Sequence, residues 1–231
     1  MNKILMTMIV LLTMYGGQTA QAQGKKILVT YFSWSNNTKA LAEEIQRQTG
    51  ADIYRIEPRE AYTTDYNTLA YTIARNEKAD NARPALKDTL QTMSQYDIVF
   101  VGCPVWWFDA PMIIHSFLEC QAYDFKGKTI VPFCTFYTST YETLNDIVTA
   151  TPQSDHLDGL GLRGASSYSQ QTVKEWLDRI GISDIVAGIE TVSTSINKAM
   201  GVYTISGVKV DGSKQLNKGL YIREGKKVLV R

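Results

Sequence analysis

The chain has 231 residues, of which 44% are hydrophobic, and its formal net charge at pH 7 is +1. This length suits one domain of ordinary size with an appendage, and the apolar content is enough for a packed core. The near-zero net charge does not fit a general nucleic-acid binder, which needs a strongly basic surface.

The first 22 residues have the pattern of a secretory signal peptide. Lys3 precedes a twelve-residue, mostly apolar run from Ile4 to Tyr15, and Ala20-Gln21-Ala22 is a small-x-small cleavage site. The apolar run is too short to span a membrane. We therefore expect an exported protein, periplasmic or secreted to the cell surface, whose mature chain starts at Gln23 and has no membrane span. A buried N-terminal helix is the alternative.

Residues 23–185 alternate predicted strands with predicted helices. The strands are Ile27–Tyr31, Asp52–Glu57, Asp97–Cys103, Thr129–Thr135 and Leu157–Leu162, and the helices are Asn37–Thr49, Asp65–Ala79, Pro111–Leu118, Ser139–Val148 and Val173–Ile180. This alternation indicates a parallel sheet covered by helices on both faces. The sequence thus predicts an α/β fold, a three-layer α/β/α sandwich with five parallel strands in the order 2-1-3-4-5 and a ligand at the switch point.

A polar loop joins the first predicted strand to the first helix. Ser33, Ser35, Asn37 and Thr38 offer hydroxyl and amide donors there, and the helix that follows adds its unpaired N–H groups and the positive end of its dipole. The loop contains no Lys or Arg, so a phosphate here would be held by hydrogen bonds. A polar turn with an Asn cap is the structural alternative.

Aromatic residues follow the third and fourth predicted strands at the same edge of the sheet. One group is Trp106-Trp107-Phe108, and the other contains Phe136, Tyr137 and Tyr141. A flat cofactor could stack on such rings, or the rings could simply cap the sheet. Three loops of matching chemistry, one for phosphate and two aromatic, are thereby predicted to converge.

Pro132 falls inside the fourth predicted strand, which would be central in the sheet. Proline has no N–H to contribute to the ladder, so we expect a local irregularity there.

The cysteines and histidines do not indicate a metal site or a catalytic triad. Cys103, Cys120 and Cys134 lack metal-type spacing. Cys103 and Cys134 end neighbouring predicted strands, where disulfide geometry is poor, so we expect two buried free thiols near each other. His115 and His156 are expected to be structural or exposed rather than catalytic.

The last segment, residues 186–231, has a different pattern. Gly201–Val210 and Gly219–Val230 alternate apolar and polar residues, with a turn expected at Glu224-Gly225. From residue 188 onward there are eight Lys/Arg and three Asp/Glu, whereas residues 23–187 carry 15 basic and 20 acidic side chains. We expect a small antiparallel β extension that either packs on the main domain or serves as an address.

These segments together resemble the flavodoxins, over about residues 25–183. The resemblance is specific in Gly102-Cys103-Pro104-Val105-Trp106-Trp107, typical of one bacterial flavodoxin-like subfamily, and in Asp158-Gly159-Leu160-Gly161-Leu162-Arg163-Gly164. Flavodoxins usually have Thr-Gly-Asn-Thr where this chain has Ser35-Asn36-Asn37-Thr38, and Asn tolerates the positive φ that the Gly adopts. The basic tail resembles the end of the C-terminal sorting domains of some Gram-negative secreted proteins.

The resemblance implies FMN as cofactor and a set of binding residues. They are Ser33, Trp34, Ser35, Asn36, Asn37 and Thr38 for the phosphate, and Pro104, Val105, Trp106, Trp107, Phe108, Thr135, Phe136, Tyr137 and Tyr141 for the isoalloxazine. Where the subfamily often has a Ser-Gly-Gly-Ser type loop, this chain has Phe136-Tyr137-Thr138-Ser139-Thr140, whose bulk could stack on the flavin or fill the pocket. Aromatic stacking and an acidic, poorly solvated site would disfavour a negatively charged reduced flavin.

Three functions remain open at this point. The first is an exported FMN-binding electron-transfer protein with an unknown redox protein or small-molecule acceptor. The second is a flavin-dependent NAD(P)H quinone or nitro reductase. The third is a cofactor-free binding or surface module of the same fold.

Overall fold

A computed structural model of the chain describes residues 25–164, 169–188, 202–204, 209–210, 219–223 and 226–230. The expected signal peptide, residues 1–22, and the expected turn at Glu224-Gly225 lie outside the described residues.

The centre of the fold is a parallel sheet with the strand order β2-β1-β3-β4-β5, as the sequence predicts. The strands are β1 (Ile27–Tyr31), β2 (Asp52–Arg55), β3 (Ile98–Pro104), β4 (Thr129–Phe136), β5 (Asp155–His156) and β6 (Leu160–Arg163), the last of which also pairs with β4. The central strands β1, β3 and β4 are buried almost throughout, because helices cover both faces.

Helices form a layer on each side of this sheet. They are α1 (Asn37–Thr49), α2 (Tyr66–Thr68, Leu69–Ala74 and Arg75–Ala79), α3 (Met112–Leu118), α4 (Thr143–Thr149) and α5 (Gln170–Arg179), with a 3-10 turn at Met93–Gln95 and a short helix at residues 182–188. One hydrophobic core packs α1 and α5 against the sheet, and a second core packs α3 and α4 against the opposite face.

The fifth predicted strand is two short strands, β5 and β6, instead of one. β5 pairs with Thr129 and Ile130 of β4, and β6 pairs with residues 133–136 of β4. The gap between β5 and β6 lies beside Pro132. Pro132 still pairs with Val101 of β3. The missing N–H of proline explains the break, which is the irregularity expected from the sequence.

Two helical predictions need correction. The helix predicted over Asp65–Ala79 contains a π-helical segment, Leu69–Ala74, between two short α segments. The helix predicted over Ser139–Val148 starts later than expected: α4 begins at Thr143, and Ser139 Oγ accepts a hydrogen bond from the backbone N–H of Tyr141 instead of capping a helix.

The described parts of the C-terminal segment form a separate antiparallel sheet. Its strands are β7 (Val202–Thr204), β8 (Lys209–Val210), β9 (Gly219–Arg223) and β10 (Lys226–Val230), in the order β10-β9-β7-β8. Arg223 pairs with Lys226, on either side of the expected turn. Among the described helices, none is both long enough and apolar enough to cross a bilayer.

Candidate functional site

A cavity of about 920 Å³ opens at the C-terminal edge of the parallel strands. It lies where the loops after β1, β3, β4 and β6 meet, which is the switch-point position of such sheets. Its lining residues are Trp34, Ser35, Asn37, Tyr66, Leu69, Ala70, Tyr71, Ala74, Pro104, Val105, Trp106, Trp107, Phe108, Thr135, Phe136, Tyr137, Thr138, Ser139, Tyr141, Arg163 and Gly164.

The loop after β1, residues 33–38, forms one end of the cavity, which we call the polar end. Asn36 has φ 65° and caps α1, but no side chain caps the first turn of the helix, and that turn contains no acidic residue. The hydroxyl of Ser33 is buried and has no hydrogen-bond partner. An orphaned buried hydroxyl is costly unless a ligand satisfies it, so this end is suited to an anion.

A hydroxyl pair fixes the polar end to strand β4, two strands away in the sheet. Thr38 Oγ1 and Thr135 Oγ1 lie 2.8 Å apart, and both residues are buried. A second contact joins Arg55, whose guanidinium donates to the Ser33 carbonyl at 3.0 Å. The loop is therefore held in place by residues from two strands of the sheet, β4 and β2.

The loop after β3 turns tightly at two aromatic residues. The backbone N–H and C=O groups of Trp106 and Asp109 hydrogen-bond each other at 3.0 and 3.1 Å, and the two residues between them, Trp107 and Phe108, have φ 49° and 74°. Positive φ at both central positions is typical of type I′ turns, which usually carry Asn or Gly. Both carbonyls of the turn are satisfied, that of Trp107 by Lys78 Nζ at 2.6 Å and that of Phe108 by a backbone N–H at 3.1 Å.

Helix α2 braces this turn from the other side of the cavity. Trp107 Nε1 donates to the carbonyl of Ala70 at 2.5 Å, inside the π-helical segment. Lys78 also forms an ion pair with Asp109, and the Arg75 guanidinium lies 5.9 Å from the Trp107 ring centroid. Short π-helical segments often occur at functional sites, and here the segment places a carbonyl against an indole of the cavity wall.

Aromatic rings continue around the cavity in an unbroken arc, which we call the aromatic arc. Its members in order are Trp34, Tyr66, Tyr71, Trp107, Phe108 and Tyr141, and successive ring centroids lie between 4.8 and 6.4 Å apart. Most of these contacts are edge-to-face, the geometry that aromatic pairs favour. Trp106 lies deeper, where its ring packs against Phe32.

The charge of the cavity differs from the sequence-based expectation. Among the described lining residues, Arg163 is the one charged side chain, and its guanidinium lies 5.3 Å from the Tyr137 ring centroid. The expected acidic character of the site was therefore wrong, because the excess acidic residues of the domain do not line the cavity.

Titratable groups beneath the β3 loop are perturbed by burial. The Asp146 carboxylate accepts the backbone N–H of Ala110 at 3.0 Å, yet burial dominates and raises its pKa. Burial also lowers the pKa of His115. In β3 and β4, Cys103 and Cys134 are buried, free register partners, and desolvation raises the pKa of Cys134 to about 12. Neither thiol therefore has the low pKa of a reactive cysteine.

The structure places twelve of the fifteen expected site residues in the cavity wall. The other three are Ser33, which is buried within the loop, Thr38, which is hydrogen-bonded to Thr135, and Asn36, which is exposed at the helix cap. Phe136 and Tyr137 line the cavity and leave it open; Tyr137 is 83% exposed.

Sequence reasoning missed the wall that α2 provides and the residues after β6. The sequence predicted a helix over Asp65–Ala79 and gave it no part in the site, but Tyr66 and Tyr71 line the cavity and are exposed, whereas Leu69 is buried. Arg163 belongs to the segment Asp158–Gly164 that resembles the flavodoxins, but the sequence analysis predicted no role for it in the site. The run of tyrosines at residues 62–71 was a usable signal.

Comparison with known proteins identifies similar chains. The Flavodoxin family model matches residues 26–180. A crystal structure of a candidate flavoprotein from Bacteroides eggerthii is 34% identical, covers 68% of this chain and 98% of its own, and has a TM-score of 0.60. A similar candidate flavoprotein from Bacteroides uniformis is 34% identical, covers 67% and 99%, and has a TM-score of 0.61.

A third structure carries a flavin. The flavoprotein from Lactobacillus acidophilus, determined in complex with FMN, is 21% identical, covers 66% of this chain and 98% of its own, and has a TM-score of 0.53. At 21% identity this likeness shows a shared fold and nothing more. No curated protein matches the chain.

Proposed function

The chain belongs to the flavodoxin family, and from this premise we propose that it is an FMN-binding electron-transfer protein. The observation that carries the proposal is the unpartnered, buried hydroxyl of Ser33 beside the uncapped N-terminus of α1, at one end of a cavity whose other walls are aromatic. A phosphate would satisfy the first feature and a flat ring system the second. The FMN complex of the Lactobacillus acidophilus flavoprotein, which has the same fold, supports this choice of ligand.

Different residues would hold the phosphate and the isoalloxazine of FMN. Ser33 and the first-turn amides of α1 would hold the phosphate through hydrogen bonds, with Thr38 and Thr135 fixing the loop. The turn at Trp106–Asp109 and the loop from Thr135 to Tyr141 would enclose the isoalloxazine and exclude water from it. FMN, when bound, supplies a flavin that exchanges electrons with a partner.

The finer assignments rest on the sequence. Gly102-Cys103-Pro104-Val105-Trp106-Trp107 supports membership of the subfamily that carries this segment. The pattern of residues 1–22 supports export, to the periplasm or the cell surface, and the basic segment 186–231 supports a sorting or packing role after the domain at 23–185. The redox partner, a protein or a small molecule, is to be identified experimentally.

The two alternatives fare differently. A cofactor-free module requires a filled pocket, and the open cavity of about 920 Å³ counts against it. A flavin-dependent reductase needs space for a substrate beside the flavin. The cavity volume is near the upper end of the roughly 300–1,000 Å³ typical of ligand pockets, so a flavin-dependent reductase is the second candidate.

A ligand pair tests the proposal. The protein is mixed with FMN or with riboflavin, which lacks the phosphate, then desalted and examined by visible absorption and flavin fluorescence. We expect FMN to be retained with quenched fluorescence, because of the surrounding indole and phenol rings, and riboflavin to be retained far less. A folded protein that takes up neither flavin would overturn the proposal.

A further inference from the structure

We propose that the mouth of the cavity is a second binding site, beside the flavin, for a planar aromatic molecule that carries a negative charge. The site consists of Tyr66 and Tyr71 of α2, which have no part in holding the flavin, with Arg75 beside the Trp107 ring and Arg163 beside the Tyr137 ring. Trp107, Phe108, Tyr137 and Tyr141 would separate this site from the isoalloxazine that they enclose. The inference rests on the proposed function, because it assigns a ligand to the part of the same cavity that opens to solvent.

The first observation is where exposed aromatic surface occurs. Among the described residues, the large hydrophobic side chains exposed to solvent are five aromatic residues of this cavity wall and Val228. The five are Tyr66, Tyr71, Phe108, Tyr137 and Tyr141, with exposed fractions of 60%, 59%, 53%, 83% and 44%. A concentration of exposed apolar side chains at one place marks a binding surface, whereas scattered ones need no explanation.

The second observation is that the rings form one connected surface. Tyr66 contacts Tyr71, Tyr71 contacts Trp107, and each pair of ring centroids is 6.3 Å apart. Phe108 and Tyr141 complete the arc at 4.8 Å. A surface of this kind presents both ring edges and ring faces, which favours a flat aromatic guest over an aliphatic one.

The third observation is the charge on this rim. Three cations lie against rim rings: Arg75 against Trp107, Lys78 against Phe108, and Arg163 against Tyr137, at 5.9, 5.9 and 5.3 Å from the ring centroids. Lys78 is paired with Asp109, so its charge is balanced. No carboxylate is among the described lining residues, so the rim attracts anions.

The fourth observation is the way the walls are held. The turn that carries Trp107 and Phe108 is in positive φ and is fixed by Lys78 and by the carbonyl of Ala70. Backbone strain that the surroundings maintain is a recognised feature of ligand-binding sites. The rings of this turn are thereby held in place before a ligand arrives, which lowers the cost of binding.

A matched pair of probes tests the site by calorimetry. Anthraquinone-2-sulfonate is the planar anion, and 2-(hydroxymethyl)anthraquinone is its neutral counterpart of similar size. With the FMN-loaded protein we expect the sulfonate to bind at least tenfold more tightly. Equal affinity, or no binding of either probe, would overturn the proposal.

Variants locate the binding. Arg163→Gln is expected to weaken sulfonate binding about fivefold to tenfold and to leave the neutral probe unchanged, whereas Tyr71→Ala weakens both and Tyr71→Phe restores both. Arg59→Gln removes a charge from outside this cavity and serves as the matched control. Sulfonate affinity that Arg163→Gln and Arg59→Gln change equally would contradict the assignment. Thermal unfolding of each variant confirms that it is folded.

Two further readings separate this inference from its premise. Flavin absorbance, measured before the titration, reports whether FMN is retained. Its absence would overturn the proposed function. The second site would then still be judged in the flavin-free protein, by whether Tyr71→Ala and Arg163→Gln weaken sulfonate binding there. NADH, which is aromatic and anionic but much larger, is titrated alongside, and binding of NADH without binding of the sulfonate would overturn a site for compact planar anions.

Discussion

The polar end and the aromatic arc belong to one cavity but are built differently. At the polar end, Ser33 and Thr38 are buried, and the polar groups there come from the backbone and from short hydroxyl side chains. At the arc, large rings stay exposed, and cations lie against their faces. The polar end is fixed by the sheet itself, whereas the arc depends on α2, an element outside the sheet.

This difference predicts a division of roles. Short buried side chains next to strands allow one geometry, so the polar end is suited to a single invariant group such as a phosphate. The rings of the arc lie on a loop and a helix and include several that stay exposed, so the arc is suited to binding what approaches the flavin. Changes at the two ends should therefore affect stability and binding in different ways.

The largest expected effect is at the hydroxyl pair of the polar end. Thr38→Val leaves Thr135 Oγ1 buried without its partner, which should lower the free energy of unfolding by about 1–3 kcal/mol. The double variant Thr38→Val/Thr135→Val should recover most of that loss, because both polar atoms are gone. Urea unfolding of the four proteins measures the coupling. If the two single losses simply add in the double variant, the pair does not hold the loop.

The helix cap should show the next largest effect. Asn36 adopts φ 65°, a conformation that costs ordinary L-residues roughly 1–2 kcal/mol. Asn36→Ala should therefore be destabilising by about 1 kcal/mol, and Asn36→Gly should be nearly neutral. Thermal unfolding compares them, and an Ala variant as stable as the Gly variant would contradict the left-handed assignment.

A smaller effect is expected where α2 meets the arc. Trp107→Phe keeps a ring but removes the hydrogen bond to the Ala70 carbonyl, which should lower the free energy of unfolding by roughly 0.5 kcal/mol. Amide hydrogen exchange should increase within residues 66–79 and stay unchanged in α1. Unchanged exchange in α2 would mean that the indole does not brace the helix.

The smallest effect is a pH dependence beneath the β3 loop. Burial lowers the pKa of His115 in the folded state, although Asp146, Glu119 and Asp109 oppose this and Arg83 adds to it. The unfolded chain, with a histidine pKa of about 6.5, then binds more protons, so stability should fall as pH decreases below about 7. His115→Gln should flatten this decline in unfolding experiments between about pH 5.5 and 7.5. A steeper decline would reverse the inferred sign.

The sequence was most informative where local chemistry decides the structure. The strand order, the span of α1 and the convergence of three loops follow from hydrophobic periodicity and from loop residues. Pro132 even marked the place where the outer strand divides, because a missing N–H is a local property.

The features that sequence reasoning missed depend on contacts between distant segments. The sequence predicts a regular helix over Asp65–Ala79, and its periodicity reveals neither the π-helical segment of α2 nor the exposure of Tyr66. The charge of the cavity depends on which side chains reach it, and the acidic total of the domain did not reveal that Arg163 does. Trp107 and Phe108 at positive φ break the residue preferences of their turn.

The most direct test of the account is the ratio of FMN affinity to riboflavin affinity in three proteins: the wild type, Ser33→Ala and Phe108→Ala. If the polar end binds the phosphate and the aromatic end contacts the flavin ring system, Ser33→Ala should lower the ratio about tenfold. This variant should not destabilise the flavin-free protein, since the Ser33 hydroxyl has no hydrogen-bond partner there. Phe108→Ala, in the turn that would enclose the isoalloxazine, should weaken both ligands and leave the ratio unchanged. A ratio that is the same in all three proteins would contradict the division of the cavity into a phosphate end and an aromatic end.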